Sequence, residues 1–190
     1  MQNSFCHSDG AVNRTKWPVY QWDRILRETK QALASVRELA IPVVYVYTTF
    51  RPDYADASTM WRKRCHDAEA NKALVEGSWD AEIVPDIAPM PGDITVVKRG
   101  FDGFLHTNLE ATLRHLGVRR LLVAGVYANI CVESTARTAF QLDFDVTVLT
   151  DCTGATSADN LEMAFRSLGA MFATVTPWRD ALAELAPLPA

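Results

Sequence analysis

Hydrophobic positions recur along this chain with two different periods, and stretches of the two kinds alternate. Helical spacing predicts helices over residues 21–39, 107–116, 130–142 and 158–168, with a last helix after Pro177. Short apolar runs such as IPVVYVYTTF predict strands over residues 41–50, 94–97, 120–124, 146–149 and 171–175. Strands that alternate with helices indicate a parallel sheet with right-handed crossovers, so we expect a three-layer α/β/α fold.

Residues 51–77 do not follow this alternation. The stretch has mixed polarity and weak periodicity and carries the aromatic residues Tyr54 and Trp61. It predicts a long, partly helical excursion over one end of the sheet, and such excursions often form the wall of a pocket. The chain shows no internal repeat or linker, so we expect a single domain over residues 1–190.

Composition and charge narrow the class of partner. The chain has 190 residues, 48% of them hydrophobic, and a formal net charge of −4. Its one basic cluster is Arg62-Lys63-Arg64, so neither nucleic acid nor a membrane surface is the expected partner. No apolar run approaches membrane-spanning length, and MQNSFCHSDG has neither the basic nor the apolar region of a signal peptide. We therefore expect a cytoplasmic enzyme that acts on a small molecule.

Cysteine and histidine spacing argues against disulfides and metal sites. No CxxC pair occurs among the cysteines, which are Cys6, Cys65, Cys131 and Cys152, and reduced thiols are expected. No metal-ligand spacing occurs among the histidines, which are His7, His66, His106 and His115. The sequence thus predicts no metal and no cofactor.

Cys131 is the strongest candidate for chemistry. In LLVAGVYANICVESTARTAFQL, residues 121–142, Gly125 ends an apolar strand and Cys131 falls in the first turn of the next predicted helix. Unpaired backbone N–H groups and the positive end of the helix dipole favour a thiolate there, and the same N–H groups could hold an oxyanion. The alternative is a structural thiol, because free cysteine is among the most buried residue types.

Lys98 is predicted to lie at the same edge of the sheet as Cys131. It ends the apolar strand ITVV, and ligands of such sheets bind beyond the carboxyl ends of the strands. Its ammonium group would stabilise a neighbouring thiolate. The alternative is a lysine that simply extends from a strand end into solvent.

These segments resemble the isochorismatase-like cysteine hydrolases, which include nicotinamidases, carbamoylsarcosine and ureidoacrylate amidohydrolases, and true isochorismatases. The resemblance covers nearly the whole chain and rests on MQNSFCHSDG, on VVKRGFDGFLHTNLEATLRHLGVRRLLVAGVYANICVESTARTAF and on VTVLTDCTGATS. It implies a Rossmann-like, mostly parallel sheet, with Lys98 and Cys131 as catalytic residues. It also implies a cis peptide between Val126 and Tyr127, with the N–H groups of Tyr127 and Cys131 as the oxyanion hole.

This chain departs from the family pattern at its start. The family's catalytic Asp ends a first strand directly before the residues that match Met1-Gln2-Asn3, and that strand lies in the middle of the family's sheet. We therefore expect this central strand to be missing, with ladder groups exposed on both neighbouring strands. The corresponding hypothesis is that Met1 is an internal residue of a longer natural protein, whose preceding segment supplies the Asp.

The implied activity is hydrolysis of a small amide or ureide C–N bond through a thioester on Cys131. YVYTTFRPDYADAS lacks the histidine of the nicotinamidase metal motif, which again predicts no metal. Loops at the carboxyl edge supply the candidate substrate contacts Phe5, Arg51, Phe101, Phe104 and Tyr127. Proteins of this family commonly form homo-oligomers, so a homo-oligomer is expected.

Two further functions remain open. The missing Asp favours a catalytically impaired protein that acts as a binding or structural partner, although intact Lys98 and Cys131 argue against it. A thiol redox protein is disfavoured, because no resolving cysteine lies near Cys131 in sequence.

Overall fold

The chain alternates between strands and helices in a computed structural model, which describes residues 1–15 and 17–185. The described strands are β1 (Val44–Thr48), β2 (Ile94–Lys98), β3 (Arg120–Val126), β4 (Asp145–Gly154) and β5 (Thr174–Thr176). The described α-helices are α1 (Asn3–Cys6), α2 (Trp22–Glu38), α3 (Thr59–Arg64), α4 (His66–Ala70), α5 (Leu109–His115), α6 (Glu133–Gln141), α7 (Ala158–Gly169) and α8 (Trp178–Ala183). Short 3₁₀ turns lie at Asn13–Thr15, Trp79–Ala81 and Pro85–Ile87, and a π turn covers Ala128–Val132.

All strand pairs within the two sheets are parallel. β1 pairs with β2 from Val44 opposite Ile94 to Thr48 opposite Lys98. A second sheet has the order β3-β4-β5. This parallel arrangement of strands joined by helices confirms the predicted α/β class.

Helices cover both faces of the sheet that contains β4. Val146 and Val148 pack in a core cluster with Leu113 of α5 and Leu168 of α7. The next residue along the strand, Leu149, packs in another cluster with side chains of α2 and α8. Because successive side chains of a strand point to opposite faces, these helices lie on opposite sides of the sheet. The three-layer arrangement predicted from sequence is therefore confirmed.

The two sheets do not pair with each other within the described residues. The facing strands are β1 and β3, and both line one cavity of about 900 Å³. Residues of α2 line one side of this cavity, and residues of α5 line the other. Within the described residues, this cavity separates the two sheets.

Several element boundaries differ from the sequence-based prediction, and three of them illustrate why. β4 continues to Gly154, past the predicted end at residue 149, because its last residues Thr153 and Gly154 pair with Gly125 and Val126 after a register shift. β5 begins at Thr174 rather than at residue 171. The helix predicted over residues 130–142 is divided into the π turn and α6. Polar residues and turn geometry, which carry no hydrophobic period, decide all three boundaries.

The excursion after β1 forms a small core of its own. It contains α3 and α4, as expected for a partly helical segment. Phe50 packs on Trp61 with ring centroids 4.3 Å apart, and both belong to a cluster with Tyr54 and Leu74. The hydroxyl of Tyr54 donates to the carbonyl oxygen of Ala73 at 2.7 Å, which closes the segment on itself.

Two buried thiols make the fold sensitive to alkaline pH. Burial raises the pKa of Cys6 in α1 and of Cys152 in β4 to about 12, from an ordinary value of 9.0. Above pH 9.0 the unfolded chain therefore loses protons that the folded chain keeps, so stability falls as pH rises. We expect the free energy of unfolding to fall by about 1 kcal/mol for each thiol between about pH 8 and about pH 10, as measured by urea unfolding.

The control is the double variant Cys6→Ala, Cys152→Ala. Its stability should depend less on pH over the same interval, because neither site can titrate. A double variant that loses as much stability as the parent would contradict this account.

Candidate active site

Cys131 lies in the π turn that joins β3 to α6. The carbonyl oxygen of Tyr127 accepts hydrogen bonds from the N–H groups of Ile130 at 3.1 Å and Val132 at 3.2 Å. Cys131 is half-buried, and α6 begins two residues later at Glu133. The thiol therefore lies close to the amino end of a nine-residue helix, although not in its first α-helical turn. Single π turns occur frequently at functional sites.

The backbone that precedes the thiol has the conformation that the resemblance implied. The Val126–Tyr127 peptide is cis. Among the hydrogen bonds of residues 1–15 and 17–185, none uses the backbone N–H of Tyr127, so this group is free to donate. The Tyr127 ring contacts Phe5 edge-on at 5.8 Å, and its hydroxyl donates to the carbonyl oxygen of Trp17. Burial raises the pKa of Tyr127, which keeps this hydroxyl protonated.

Lys98 ends β2 with a buried side chain. Its Nζ donates to the carbonyl oxygens of Gly100 at 2.9 Å and Phe101 at 2.6 Å. Lys98 and Cys131 line the same cavity, so the structure brings together the two residues that the sequence placed at one edge. The two carbonyl partners fix the position of the ammonium group without neutralising its charge.

The hydroxyl of Thr135 joins the loop after β2 to the turn that carries Cys131. It donates to the carbonyl oxygen of Cys131 at 2.7 Å and accepts from the N–H of Gly103 at 2.9 Å. A Cβ atom at Gly103 would lie 3.0 Å from Cγ2 of Thr135, so glycine permits this close approach. A second link runs from the hydroxyl of Thr138 to Asp102 at 2.6 Å. Sequence reasoning missed both threonines, because a threonine in a helix has no signature of such a role.

Gln2 is a third residue that the sequence did not single out. Its side chain is almost fully buried and exchanges two hydrogen bonds with the backbone of Thr48, at 2.6 Å and 2.9 Å. Its Nε2 also donates to the carbonyl oxygen of Ala81 at 2.7 Å. The Gln2 amide therefore supplies hydrogen-bond partners for the backbone of Thr48, the last residue of β1, on the edge that β2 does not pair.

The residues predicted to contact substrate are in different surroundings. Phe5 and Phe104 line the same cavity as Cys131. Tyr127 directly precedes the π turn that carries Cys131. The Arg51 side chain is 62% exposed and pairs with Asp53 at 3.3 Å. Phe101 exposes its ring, while its carbonyl oxygen binds Lys98. A role in substrate binding stays a prediction for all five residues.

The cavity has basic side chains and no acidic ones. Among the described residues that line it, the charged side chains are Lys98 and Arg120. Within residues 1–15 and 17–185, no three His, Cys, Asp or Glu side chains lie close enough together to hold a metal ion. The four cysteines are free. The polar groups described around this cavity include the Cys131 thiol and the Lys98 ammonium group.

Two features bear on partners. No helix in the described part of the chain is both long enough and apolar enough to span a bilayer. Trp17 and Tyr20 expose 43% and 41% of their surface. The expected homo-oligomer stays a prediction.

Comparison with known proteins identifies the family. The model of the isochorismatase domain matches residues 1–180. The chain belongs to the isochorismatase family. Its relatives include the ureidoacrylate amidohydrolase RutB of Caulobacter vibrioides, which is 29% identical over 98% of this chain and 90% of its own length. RutB of Stutzerimonas stutzeri is 32% identical over 80% of this chain and 66% of its own length.

Solved structures of related proteins have the same fold as this chain. An isochorismatase family protein from Desulfovibrio vulgaris superposes with a TM-score of 0.87 at 30% identity, covering 98% of this chain and 95% of the other. N-carbamoylsarcosine amidase from Thermoplasma acidophilum gives 0.75 at 25% identity, covering 94% and 92%. These comparisons support a hydrolase of the isochorismatase family.

Removal of the Thr135 hydroxyl tests the link between the two loops. In Thr135→Val, the N–H of Gly103 loses its acceptor and the carbonyl oxygen of Cys131 loses its donor. We expect the free energy of unfolding to fall by about 1–3 kcal/mol, because partly buried polar groups lose their partners. Urea unfolding measures this change.

Thr112→Val is the matched control, because the Thr112 hydroxyl donates to Asn108 on an exposed helix face. Its stability should change by less than about 0.5 kcal/mol. Equal effects of the two substitutions would show that the Thr135 hydroxyl is not the link we describe.

Proposed function

We propose that this chain hydrolyses a small amide or ureide C–N bond, with Cys131 as nucleophile. The observation that carries the proposal is the shared location of Cys131 and Lys98 at one cavity. The backbone N–H of Tyr127, four residues before Cys131, donates no hydrogen bond among the described residues. A thiol, a neighbouring cation and a backbone donor are the groups that acyl transfer through a thioester requires.

The first step forms the thioester. The Cys131 thiolate attacks the carbonyl carbon, a C–S bond forms, and the carbonyl electron pair moves to oxygen. The N–H groups of Tyr127 and Cys131 stabilise this oxyanion. When the tetrahedral intermediate collapses, the C–N bond breaks and the nitrogen leaves as ammonia or an amine. The proton that the thiol released reaches this nitrogen through water, so charge and protons balance.

The second step regenerates the thiolate. Water attacks the thioester carbon, the same N–H groups hold the second oxyanion, and the C–S bond breaks while one proton of the water passes to solvent. An amide substrate yields a carboxylic acid, and a ureide yields a carbamic acid. Lys98 acts in both steps by stabilising the thiolate electrostatically, since its carbonyl partners leave its charge intact.

The relatives indicate which substrate to assay first. Ureidoacrylate amidohydrolases align with this chain at 29% to 32% identity, and a carbamoyl amidase shares its fold. Ureidoacrylate and other N-carbamoyl acids therefore come before simple amides. Ammonia release measures turnover of each.

A catalytically impaired protein that serves as a binding or structural partner is the second candidate. The observation that favours it is the absence of any Asp or Glu among the described residues that line the cavity. Such a carboxylate would be the ordinary acceptor of the thiol proton. The two candidates differ in the reactivity they assign to Cys131.

Cys131→Ala tests the nucleophile. We expect hydrolysis to fall by about a thousandfold or more, because no other thiol can form the thioester. Cys65→Ala is the matched control, since Cys65 is also a free, half-buried thiol and should not be needed. Activity that survives in Cys131→Ala would exclude the thioester mechanism.

Lys98→Met tests the electrostatic role without a substrate. The rate at which iodoacetamide alkylates Cys131, followed by mass spectrometry, should fall about tenfold when the neighbouring cation is removed. Lys30→Met removes an exposed lysine that pairs with Asp86 at 2.7 Å and should leave the rate unchanged. Parent Cys131 that reacts no faster than Cys65, with no turnover of any carbamoyl substrate, would favour the impaired protein instead.

A further inference from the structure

The loop that follows β2 holds the Lys98 ammonium group with two backbone carbonyls. Lys98 Nζ donates to the carbonyl oxygen of Gly100 at 2.9 Å and to that of Phe101 at 2.6 Å. A lysine side chain is a flexible stem that carries a compact charge, so it does not fix its own position. The place of the ammonium group is therefore set by where the loop holds these two carbonyls.

Asp102 fixes the part of the loop that accepts from Lys98. Its backbone nitrogen belongs to the same planar peptide as the Phe101 carbonyl, so the orientation of Asp102 sets the direction of one acceptor. Both carboxylate oxygens are bonded. One accepts from the N–H of Phe104 at 2.8 Å, and the other accepts from the hydroxyl of Thr138 at 2.6 Å. The first bond is local to the loop, whereas the second reaches helix α6.

Helix α6 is also the element into which the Cys131 turn leads. It begins at Glu133, two residues after the thiol, and Thr138 lies within it. The bond from the Thr138 hydroxyl to Asp102 therefore ties the loop that holds Lys98 to the helix next to Cys131. The two sheets share no ladder within the described residues, so side-chain ties of this kind help to set the separation of the two groups.

This separation decides how much Lys98 can assist the thiol. Lys98 is buried and Cys131 is half-buried. Attraction between opposite charges falls with distance, and solvent screens it less at buried sites than at exposed ones. A loop released from α6 would let the ammonium group occupy other rotamers, and a Cys131 thiolate would lose stabilisation although no charge had been removed.

We propose that Asp102 and Thr138 are positioning residues, which hold the Lys98 ammonium group where it stabilises the thiolate. The Thr138 hydroxyl holds the Asp102 carboxylate, Asp102 orients the Phe101 carbonyl, and that carbonyl binds the ammonium group. The inference rests on the electrostatic role proposed above for Lys98. It adds two residues that act without touching the substrate.

Thr138→Val tests this role, because valine has nearly the shape of threonine but no hydroxyl, and the substitution changes no charge. We expect the rate at which iodoacetamide alkylates Cys131, followed by mass spectrometry, to fall about threefold at about pH 7. At about pH 10, where an ordinary thiol is largely ionised, the rate should match that of the parent. Thr138→Ser keeps the hydroxyl and should react like the parent at both pH values.

Thr112→Val is the matched control, since it removes a hydroxyl that donates to Asn108 on an exposed helix face, and it should leave both rates unchanged. General loosening of the fold would give a different result in Thr138→Val. It would expose the half-buried Cys131 and raise its rate at about pH 10, and this outcome would overturn a positioning role.

A double-mutant cycle with Lys98→Met shows whether the pair acts through the ammonium group. In Lys98→Met, adding Thr138→Val should not slow the reaction further at about pH 7, because the charge to be positioned is gone. A second loss of similar size would overturn this route. Slow alkylation in Lys98→Met with the parent rate in Thr138→Val would overturn the positioning role alone. Parent rates in both single variants would overturn the electrostatic role of Lys98 and the positioning role with it.

Discussion

The geometry of the candidate site depends on one hydroxyl group, that of Thr135. Lys98 belongs to one sheet and Cys131 follows a strand of the other, and these sheets share no ladder within the described residues. The Thr135 hydroxyl bonds the backbone on both sides, with Gly103 in the loop after β2 and Cys131 in the turn after β3. The pairing of Thr138 with Asp102 repeats the connection one helical turn later. Helix α6 thus fixes two loops that strand pairing alone leaves independent.

The sequence predicted the parts of this structure that depend on hydrophobic periodicity. The order of strands and helices follows from apolar spacing, and so does the position of Lys98 at the end of a strand. The Cys131 turn and its cis peptide followed from resemblance to a family, through GVYANICV. What the sequence did not reveal depends on hydrogen bonds between distant residues. Gln2 is joined to Thr48, and Thr135 to Gly103, by contacts that leave no periodic trace.

The π turn is another feature that hydrophobic spacing did not reveal. Apolar spacing predicts one helix over residues 130–142, since α and π geometry differ by a single residue in the hydrogen-bond span. The structure places Cys131 before the α-helix and gives the Tyr127 carbonyl two N–H donors. The turn therefore directs the thiol toward the cavity while α6 remains close behind it.

The excursion after β1 has a core of Phe50, Tyr54, Trp61 and Leu74 that is separate from the core clusters around β4. Residues in this segment can therefore be exchanged during evolution without repacking the strands that hold Lys98 and Cys131. No residue of 51–77 is among the described residues that line the cavity shared by Lys98 and Cys131, so changes in this segment leave that lining intact. Sequence divergence in this segment therefore costs little stability in the rest of the fold, because the segment has a core of its own.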